Sequence, residues 1–354
     1  MIRSFTRTAC LVLCSLALAA CSSTYQGPVS DHFDGKVFKN PGPPKSSSVA
    51  GYLWLRLTSS QGAWPDAVSM PDPAEPPPPA RVDDGSARIT YIGHATLLIQ
   101  IAGLNILTDP VWAQRASPLT FAGPKRVTQP SMALSALPPI DVVLISHDHY
   151  DHLDTQALKE LDQLHRPRVI VPLGNAALVQ SVMPGSRVTE HDWGASVMVG
   201  KSNNAKIHIE PMLHGSGRTP FNQMSTLWAA FVIESTKLKI YHVGDAGYGD
   251  GSIYRAAAHK HQGFDLAILP IGAYEPASFM ADSHMRPSDA LKAMQGSRAR
   301  RAMAHHFETF QLGFESYEAP RAELELALKQ SNMKPEAFAI PKPGQHVVVQ
   351  PGAL

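Results

Sequence analysis

The sequence predicts an α/β protein, an αββα sandwich of two mixed β-sheets flanked by helices. Three observations lead there. From Ala87 onward short apolar strands and helical patches follow one another without a break. The first strands are joined by tight turns, which gives an antiparallel start. Later strands are uniformly apolar and alternate with helical patterns, as strands buried under helices do.

Thr90-Tyr91-Ile92 and Thr96 to Ile101 read as strands, and Leu104 to Thr108 as a third, with Ala102-Gly103 as the turn between the last two. Ile140 to Ile145 is a buried-strand run that leads straight into a histidine cluster. Asp154 is a good helix N-cap, and Leu158, Leu161 and Leu164 then recur at helical spacing up to Pro167. Val169 to Val171, Lys237 to Val243 and Asp265 to Leu269 are further strands. Ala319 to Lys329 is an amphipathic helix, and a strand around Val347 to Val349 closes the chain.

The 354 residues are 44% hydrophobic and 17% charged, enough apolar material for a sizeable core. A formal net charge of +1 argues against a nucleic-acid-coating surface. All three cysteines, Cys10, Cys14 and Cys21, fall in the first 21 residues. There Arg3 and Arg7 precede an apolar stretch from Ala9 to Ala17 and then Leu18-Ala19-Ala20-Cys21, the pattern of a secretory signal. Leu18 to Cys21 resembles a bacterial lipoprotein box. That resemblance implies a signal peptide at 1–20, lipidation of Cys21, and a protein anchored in the bacterial cell envelope. Ser22 after Cys21 favours the outer membrane, facing the periplasm. A Pro-rich N-terminal arm would span 21–86 and end in the polyproline-like run Pro71 to Pro79, with one catalytic domain over 87–354. After cleavage no thiolate other than Cys21 remains, so any metal site in the domain must be built from histidine and carboxylate.

The chemistry concentrates in His147-Asp148-His149-Tyr150-Asp151-His152, five metal-capable groups within six residues directly after a strand. Residues two apart in extended chain point the same way, so His147 and His149 can grip one ion. Asp151 and His152 lie one step further and can grip a second. Imidazole and carboxylate without thiolate suit Zn²⁺, with Mn²⁺ or Fe as substitutes. His214, Asp245 and His306 each follow an apolar strand and can reach the same edge. His305 and His306 compete for one position, since neighbours on a strand point oppositely. Spacing to Thr309-Phe310 favours His306.

These segments resemble the metallo-β-lactamase fold superfamily, whose signature is His-x-His-x-Asp-His. They are similar in particular to the branch that includes N-acylphosphatidylethanolamine phospholipase D. The branch is carried by Gly93 to Thr96, Leu107 to Pro110, Arg115 to Pro118, Gly123 to Arg126, His214 to Arg218, Gly244-Asp245 and Leu269 to Tyr274. The resemblance implies that His147, His149 and His214 hold one metal, that Asp151, His152 and His306 hold a second, and that Asp245 bridges them. Two ions about 3.5–4 Å apart can activate a water and clamp a phosphoryl oxygen. Asp151 and His284 are the catalytic residues so implied, with His284 contacting substrate or protonating the leaving oxygen. Arg218 could pair with a phosphate. Asp109 and His94 could brace the metal-binding groups from behind. The chain departs from the family at His306-Phe307-Glu308-Thr309-Phe310, where the family has His-Trp-Gly-Thr-Phe. Glu308 would add a carboxylate near the site.

The leading expectation is a di-zinc phosphodiesterase of phospholipase D type that acts on N-acylphosphatidylethanolamine-like lipids at a membrane surface, with a homodimer compatible with the resemblance. A lactonase or sugar-phosphate hydrolase of the same fold is the alternative enzyme. A non-catalytic envelope lipoprotein is the alternative of a different class, and the full set of seven ligands argues against it.

Overall fold

Strands β1 (Ala87–Gly93), β2 (Thr96–Ile101) and β3 (Leu104–Thr108) form an antiparallel meander. Ala102 and Gly103 link β2 and β3 with φ of 51° and 75°, the left-handed pair that matches the twist of a two-residue hairpin. From β3 the pairing turns parallel through β4 (Val142–Leu144), β5 (Arg168–Pro172) and β6 (Arg187–His191). The computed structural model describes residues 24–42, 49–69, 76–202 and 204–352. The signal segment and Cys21 therefore lie outside the described residues, as do Pro71 to Glu75 of the polyproline run.

The second sheet comprises β7 (Ser196–Val199), β8 (Ala205–Glu210), β9 (Ala230–Ser235), β10 (Lys239–His242), β11 (Phe264–Pro270), β12 (Ala299–His305) and β13 (Phe338–Ala339). The last strand, β14 (His346–Val349), returns to the first sheet beside β1. Each sheet has seven strands, in the orders β14-β1-β2-β3-β4-β5-β6 and β13-β12-β11-β10-β9-β8-β7. The helices are α1 (Val49–Thr58), α2 (Thr155–Leu164), α3 (Ala176–Val182), α4 (Ser252–His261), α5 (Ala277–Met280), α6 (Pro287–Gly296) and α7 (Ala319–Gln330). No helix among the described residues is long and apolar enough to cross a membrane.

The period of two explains why the strands read as unbroken apolar runs. On β2, Leu97, Ile99 and Ile101 face the second sheet and join Ile207, Phe231 and Ile268 in the main core. Leu98 faces the other way and joins Leu158, Leu161 and Val179 under α2 and α3. Both faces are covered, so both must be apolar.

Two expectations change in detail. Leu164 is 48% exposed rather than part of the buried stripe. Six residues turn a helix by about 600°, which leaves Leu164 roughly 120° around from Leu158. Parts of the N-terminal arm are built into the domain. Phe33 and Phe38 are each 1% exposed in the main core, Gly62 N–H donates to Phe314 O, and the Trp64 indole donates to Glu315 O.

Asp154 holds two structures at once. Its Oδ1 accepts the N–H groups of Gln156 and Ala157 at the start of α2, and its Oδ2 accepts those of Trp112 and Ala113. Asp154→Ala strands four donors, two of them at a helix end, and should cost about 2–4 kcal/mol in urea unfolding of the metal-free protein. Asp154→Asn should recover the smaller part of that loss. A midpoint unchanged in Asp154→Ala would refute the assignment.

Candidate metal centre

Strand direction gathers the site. β1 and β3 run the same way because each is antiparallel to β2, and β4 is parallel to β3. β8 and β10 likewise share a direction through β9, and β11 and β12 follow β10 in parallel. The residues that follow the C-terminal ends of β1, β3, β4, β8, β10 and β12 therefore meet at one edge, where open α/β sites form. These are His94, Asp109, His147 to His152, His214, Asp245 and His306.

Two groups of donors converge there. His149 Nδ1 lies 2.9 Å from His147 Nε2 and 3.2 Å from His214 Nε2. In the second group, Asp151 Oδ2 lies 3.1 Å from His306 Nε2 and 3.4 Å from His152 Nε2. Asp245 Oδ2 is 3.0 Å from His306 Nε2, 3.2 Å from His152 Nε2 and 3.8 Å from His214 Nε2, so it stands between the groups. Ligands at about 2.0–2.1 Å from a tetrahedral ion lie about 3.3 Å apart, which is the spacing seen here. His152 Nε2 and Asp245 Oδ1 are buried and lack a hydrogen-bond partner among the described residues. The donor set fits two divalent cations, one among three imidazoles and one among imidazoles and carboxylates.

Several of the donors are braced from behind. Asp109 accepts from Ser146 N–H at 2.7 Å and meets His152 Nδ1 at 2.8 Å, which turns His152 Nε2 to the centre. Ser146 Oγ meets His147 Nδ1 at 2.9 Å, and Ser283 O meets His214 Nδ1 at 2.9 Å. His94 Nε2 lies 3.0 Å from Asp151 Oδ2. With three imidazoles around that one oxygen, Asp151 sits where a ligand of the second cation would.

The geometry bears on several sequence expectations. β12 ends at His305, whose ring packs in the core 5.3 Å from His242, and His306 takes a left-handed φ of 61° that swings its ring to the centre. Arg218 is a correction. Its Nη1 donates to Asp148 O and Leu153 O at 2.9 Å each, and its guanidinium stacks 3.9 Å from the Tyr150 ring. Held on the metal-bearing loop and 6% exposed, it positions that loop and is not among the residues that line the cavity. Glu308 also turns away, with both carboxylate oxygens on Arg321 at 2.9 and 3.0 Å. Its φ of 53° is a left-handed conformation that glycine adopts most easily. His284 lies at the rim, its Nδ1 3.8 Å from Asp245 Oδ2 and its ring 5.1 Å from that of His214. Ser146 and Asn40 escaped the sequence reading, because a lone serine or an asparagine before proline carries no metal-site signal. A separate group, His208, Glu210 and His261, is closed on itself: Lys260 and His261 meet Glu210 at 2.7 and 3.0 Å, and Glu234 meets His208 at 2.8 Å.

Burial pushes His147 and His149 below the ordinary imidazole range, so both are neutral donors. For His306 burial acts the same way, but the Asp245 and Asp151 carboxylates outweigh it and push it up to about 9. His152 is raised well above its usual value against the same burial, by Asp245, Asp151 and Asp109. Without an ion, then, protons on His152 and His306 offset the buried carboxylates. Metal binding must displace them, so metal affinity should rise as pH climbs towards about 9 and fall as pH drops. Calorimetric titration of metal-free protein in buffers of different ionisation enthalpy should show proton release at neutral pH. No release would mean that these imidazoles are neutral before the ion arrives.

A family model described as a beta-lactamase superfamily domain matches residues 104–307. The chain is 35% identical to N-acyl-phosphatidylethanolamine-hydrolyzing phospholipase D 1 of Caenorhabditis elegans, over 86% of this chain and 90% of that one. It is 32% identical to the mitochondrial N-acyl-phosphatidylethanolamine-hydrolyzing phospholipase D of Saccharomyces cerevisiae, over 70% of this chain and 53% of that one. Among solved structures it shares its fold with an isothiocyanate hydrolase from Delia radicum gut bacteria, at a TM-score of 0.58 and 19% identity, over 73% of this chain and 98% of that one. The chain belongs to the metallo-β-lactamase superfamily, among metal-dependent hydrolases whose members include the N-acyl-phosphatidylethanolamine-hydrolyzing phospholipases D.

Proposed function

We propose that this protein is a di-zinc phosphodiesterase of phospholipase D type that hydrolyses N-acylphosphatidylethanolamine-like lipids. The observation that carries the proposal is the cavity at the metal centre. It has a volume of about 1750 Å³ and is bounded on one side by His149, His214 and His284. Much of the remaining wall is apolar, with Phe38, Met224, Ile253, Ala257, Phe279 and Met280. Ligand pockets usually measure about 300–1,000 Å³. A larger, mainly apolar cavity beside a cation-binding centre suits a phosphodiester that carries long acyl chains.

His147, His149 and His214 would hold one zinc, Asp151, His152 and His306 the other, and Asp245 both. When bound, the ions supply an activated water and positive charge for the phosphoryl oxygens. The chain's own groups do the positioning. His284 faces the cavity, and burial draws its imidazole down to about 4, an effect the Asp245 carboxylate offsets only in part. At neutral pH it is therefore a neutral N–H donor. That suits it to orient a phosphoryl oxygen and less to deliver a proton as imidazolium. Hydrolysis adds water across the bond between phosphorus and the head-group oxygen, which yields phosphatidic acid and an N-acylethanolamine.

We also propose that the protein is held at a bacterial envelope membrane through lipidated Cys21. Tyr25 is seated on the domain, its N–H donating to Ser225 O. The four residues from Cys21 to Tyr25 can span about 14 Å at most. An acylated Cys21 would thus keep the domain against the bilayer that carries its substrate.

Zinc-replete protein given N-acylphosphatidylethanolamine in mixed micelles should release phosphatidic acid. His284→Ala should lower kcat about 10²- to 10³-fold, the cost of one well-placed donor, with zinc content unchanged. Absence of phosphatidic acid alongside turnover of lactones or soluble sugar phosphates would transfer the assignment to those substrates. Absence of turnover with fewer than one metal per chain would favour a non-catalytic lipoprotein.

A further inference from the structure

The loop that carries His214 runs from the end of β8 to the start of β9, and no strand among the described residues pairs with it at His214. Its peptide must find other partners, because buried backbone N–H and C=O groups are costly to leave open. The partner is one side chain from far away in sequence. Asn40 Nδ2 donates to His214 O at 2.6 Å, and Asn40 Oδ1 accepts His214 N–H at 3.0 Å. A neighbouring strand exchanges the same two bonds with a paired residue. Asn40 Oδ1 also accepts the indole N–H of the fully buried Trp228 at 3.0 Å, a proton shared with Met212 O.

Asn40 is itself held firmly. The segment before it folds back through a bridge between Phe33 and Phe38, whose rings lie 4.5 Å apart and are each 1% exposed. Phe38 N–H donates to Met224 O at 2.7 Å, and Lys39 N–H to His32 O at 2.8 Å. Asn40 thus stands two residues from a core anchor, against the peptide of a residue whose ring faces His147 and His149. Ser283 O fixes the ring of His214 through Nδ1, and Asn40 fixes its main chain. Together they determine where His214 Nε2 lies.

We propose that Asn40 is a positioning residue for the three-histidine metal site, and that the strap from Tyr25 to Asn40 is a working part of the centre. A partner one bond removed from a metal ligand commonly changes metal affinity about 10- to 100-fold. Asn40→Asp is the informative change. It keeps the acceptor for His214 N–H and the Trp228 indole but sets an oxygen against His214 O. Asn40→Ser keeps a small polar group that cannot bridge both.

The test uses the full chain loaded with cobalt(II) and titrated with a competing chelator. In both variants one of the two metals should be lost at chelator concentrations about 10- to 100-fold lower than in the wild type. The cobalt absorption bands assigned to the three-histidine site should shift while those of the other site persist. Raising the metal concentration should restore kcat with KM unchanged, whereas a merely destabilised chain would lose both metals together as it unfolds. His214→Ala provides the reference for a lost site. If His214→Ala still holds two metals, the ligand assignment fails and the proposal with it. If His214→Ala loses one metal while Asn40→Asp and Asn40→Ser keep wild-type affinity and bands, the proposal alone is overturned. Loss of both metals in step with unfolding in both variants also overturns it, since Asn40 would then serve the fold and not the site. The metal content and the cobalt bands do not depend on which substrate the enzyme takes.

Discussion

Two carboxylates, Asp151 and Asp245, are buried side by side where the ends of two sheets meet, and the surrounding structure is arranged around their charge. An ionised carboxylate in a protein interior costs several kcal/mol unless it is matched. Here the match comes from imidazoles that follow strands of both sheets. When no ion is present the imidazoles must carry protons, and when ions are present they must be neutral donors. Either way the sheet edge cannot be filled with apolar side chains, so this end of the sandwich is committed to cation chemistry. The apolar clusters between the sheets and under α2 and α3 supply the rigidity that keeps the donors in place.

Keeping them in place requires backbone that regular structure does not offer. His94, Asp109, His306 and Glu308 all have φ between 37° and 61°, although none is glycine. Such conformations cost of order 1–3 kcal/mol each and persist only where surroundings over-determine them. The surroundings do so here. Asp109 is tied by Ser146 and His152, Glu308 by two bonds to Arg321, and His306 by the carbonyl of His94. The left-handed turns redirect side chains at strand ends, which is how one sheet edge brings so many donors to a single point. Glu308 shows the trade in one residue: the chain loses the ease of glycine at a left-handed position and gains an ion pair that ties the His306 loop to α7.

The parts of this centre that were legible in the sequence are those set by short range. His147 to His152 occupy one loop, so spacing alone places them, and the N-cap of α2 follows from Asp154 and the helical pattern after it. The remaining ligands were legible because each follows an apolar strand, and strand ends are where α/β folds put their chemistry. What the sequence concealed is what depends on tertiary neighbours. Arg218 looks like any arginine near a metal motif until its guanidinium is found on Asp148 O and Leu153 O. Glu308 looks like an extra charge for the substrate until Arg321 is found opposite it. Leu164 continues a leucine spacing that has turned roughly 120° from Leu158 by the end of the helix, out of the buried stripe. Asn40 is the extreme case, 174 residues from the ligand it braces and set in a proline-rich arm that reads as a spacer.

That distribution bears on where specificity resides. The seven donors serve any hydrolase that holds two cations, so they do not choose a substrate. The walls of the cavity do, and they come from segments outside the motif: Phe38 from the N-terminal strap, Ile253 and Ala257 from α4, and Phe279 and Met280 from α5. These side chains meet only in the folded chain, and several are simple aliphatics whose exchange for one another costs little stability. Substrate range can therefore drift by small apolar substitutions while the metal centre, tied by charge and by hydrogen bonds behind several of its ligands, stays fixed. The strap belongs to both systems, since Phe38 lines the cavity and Asn40 two residues later clamps His214. A change in the strap can therefore reach the cavity through Phe38 or the metal site through Asn40, which sets it apart from α4 and α5.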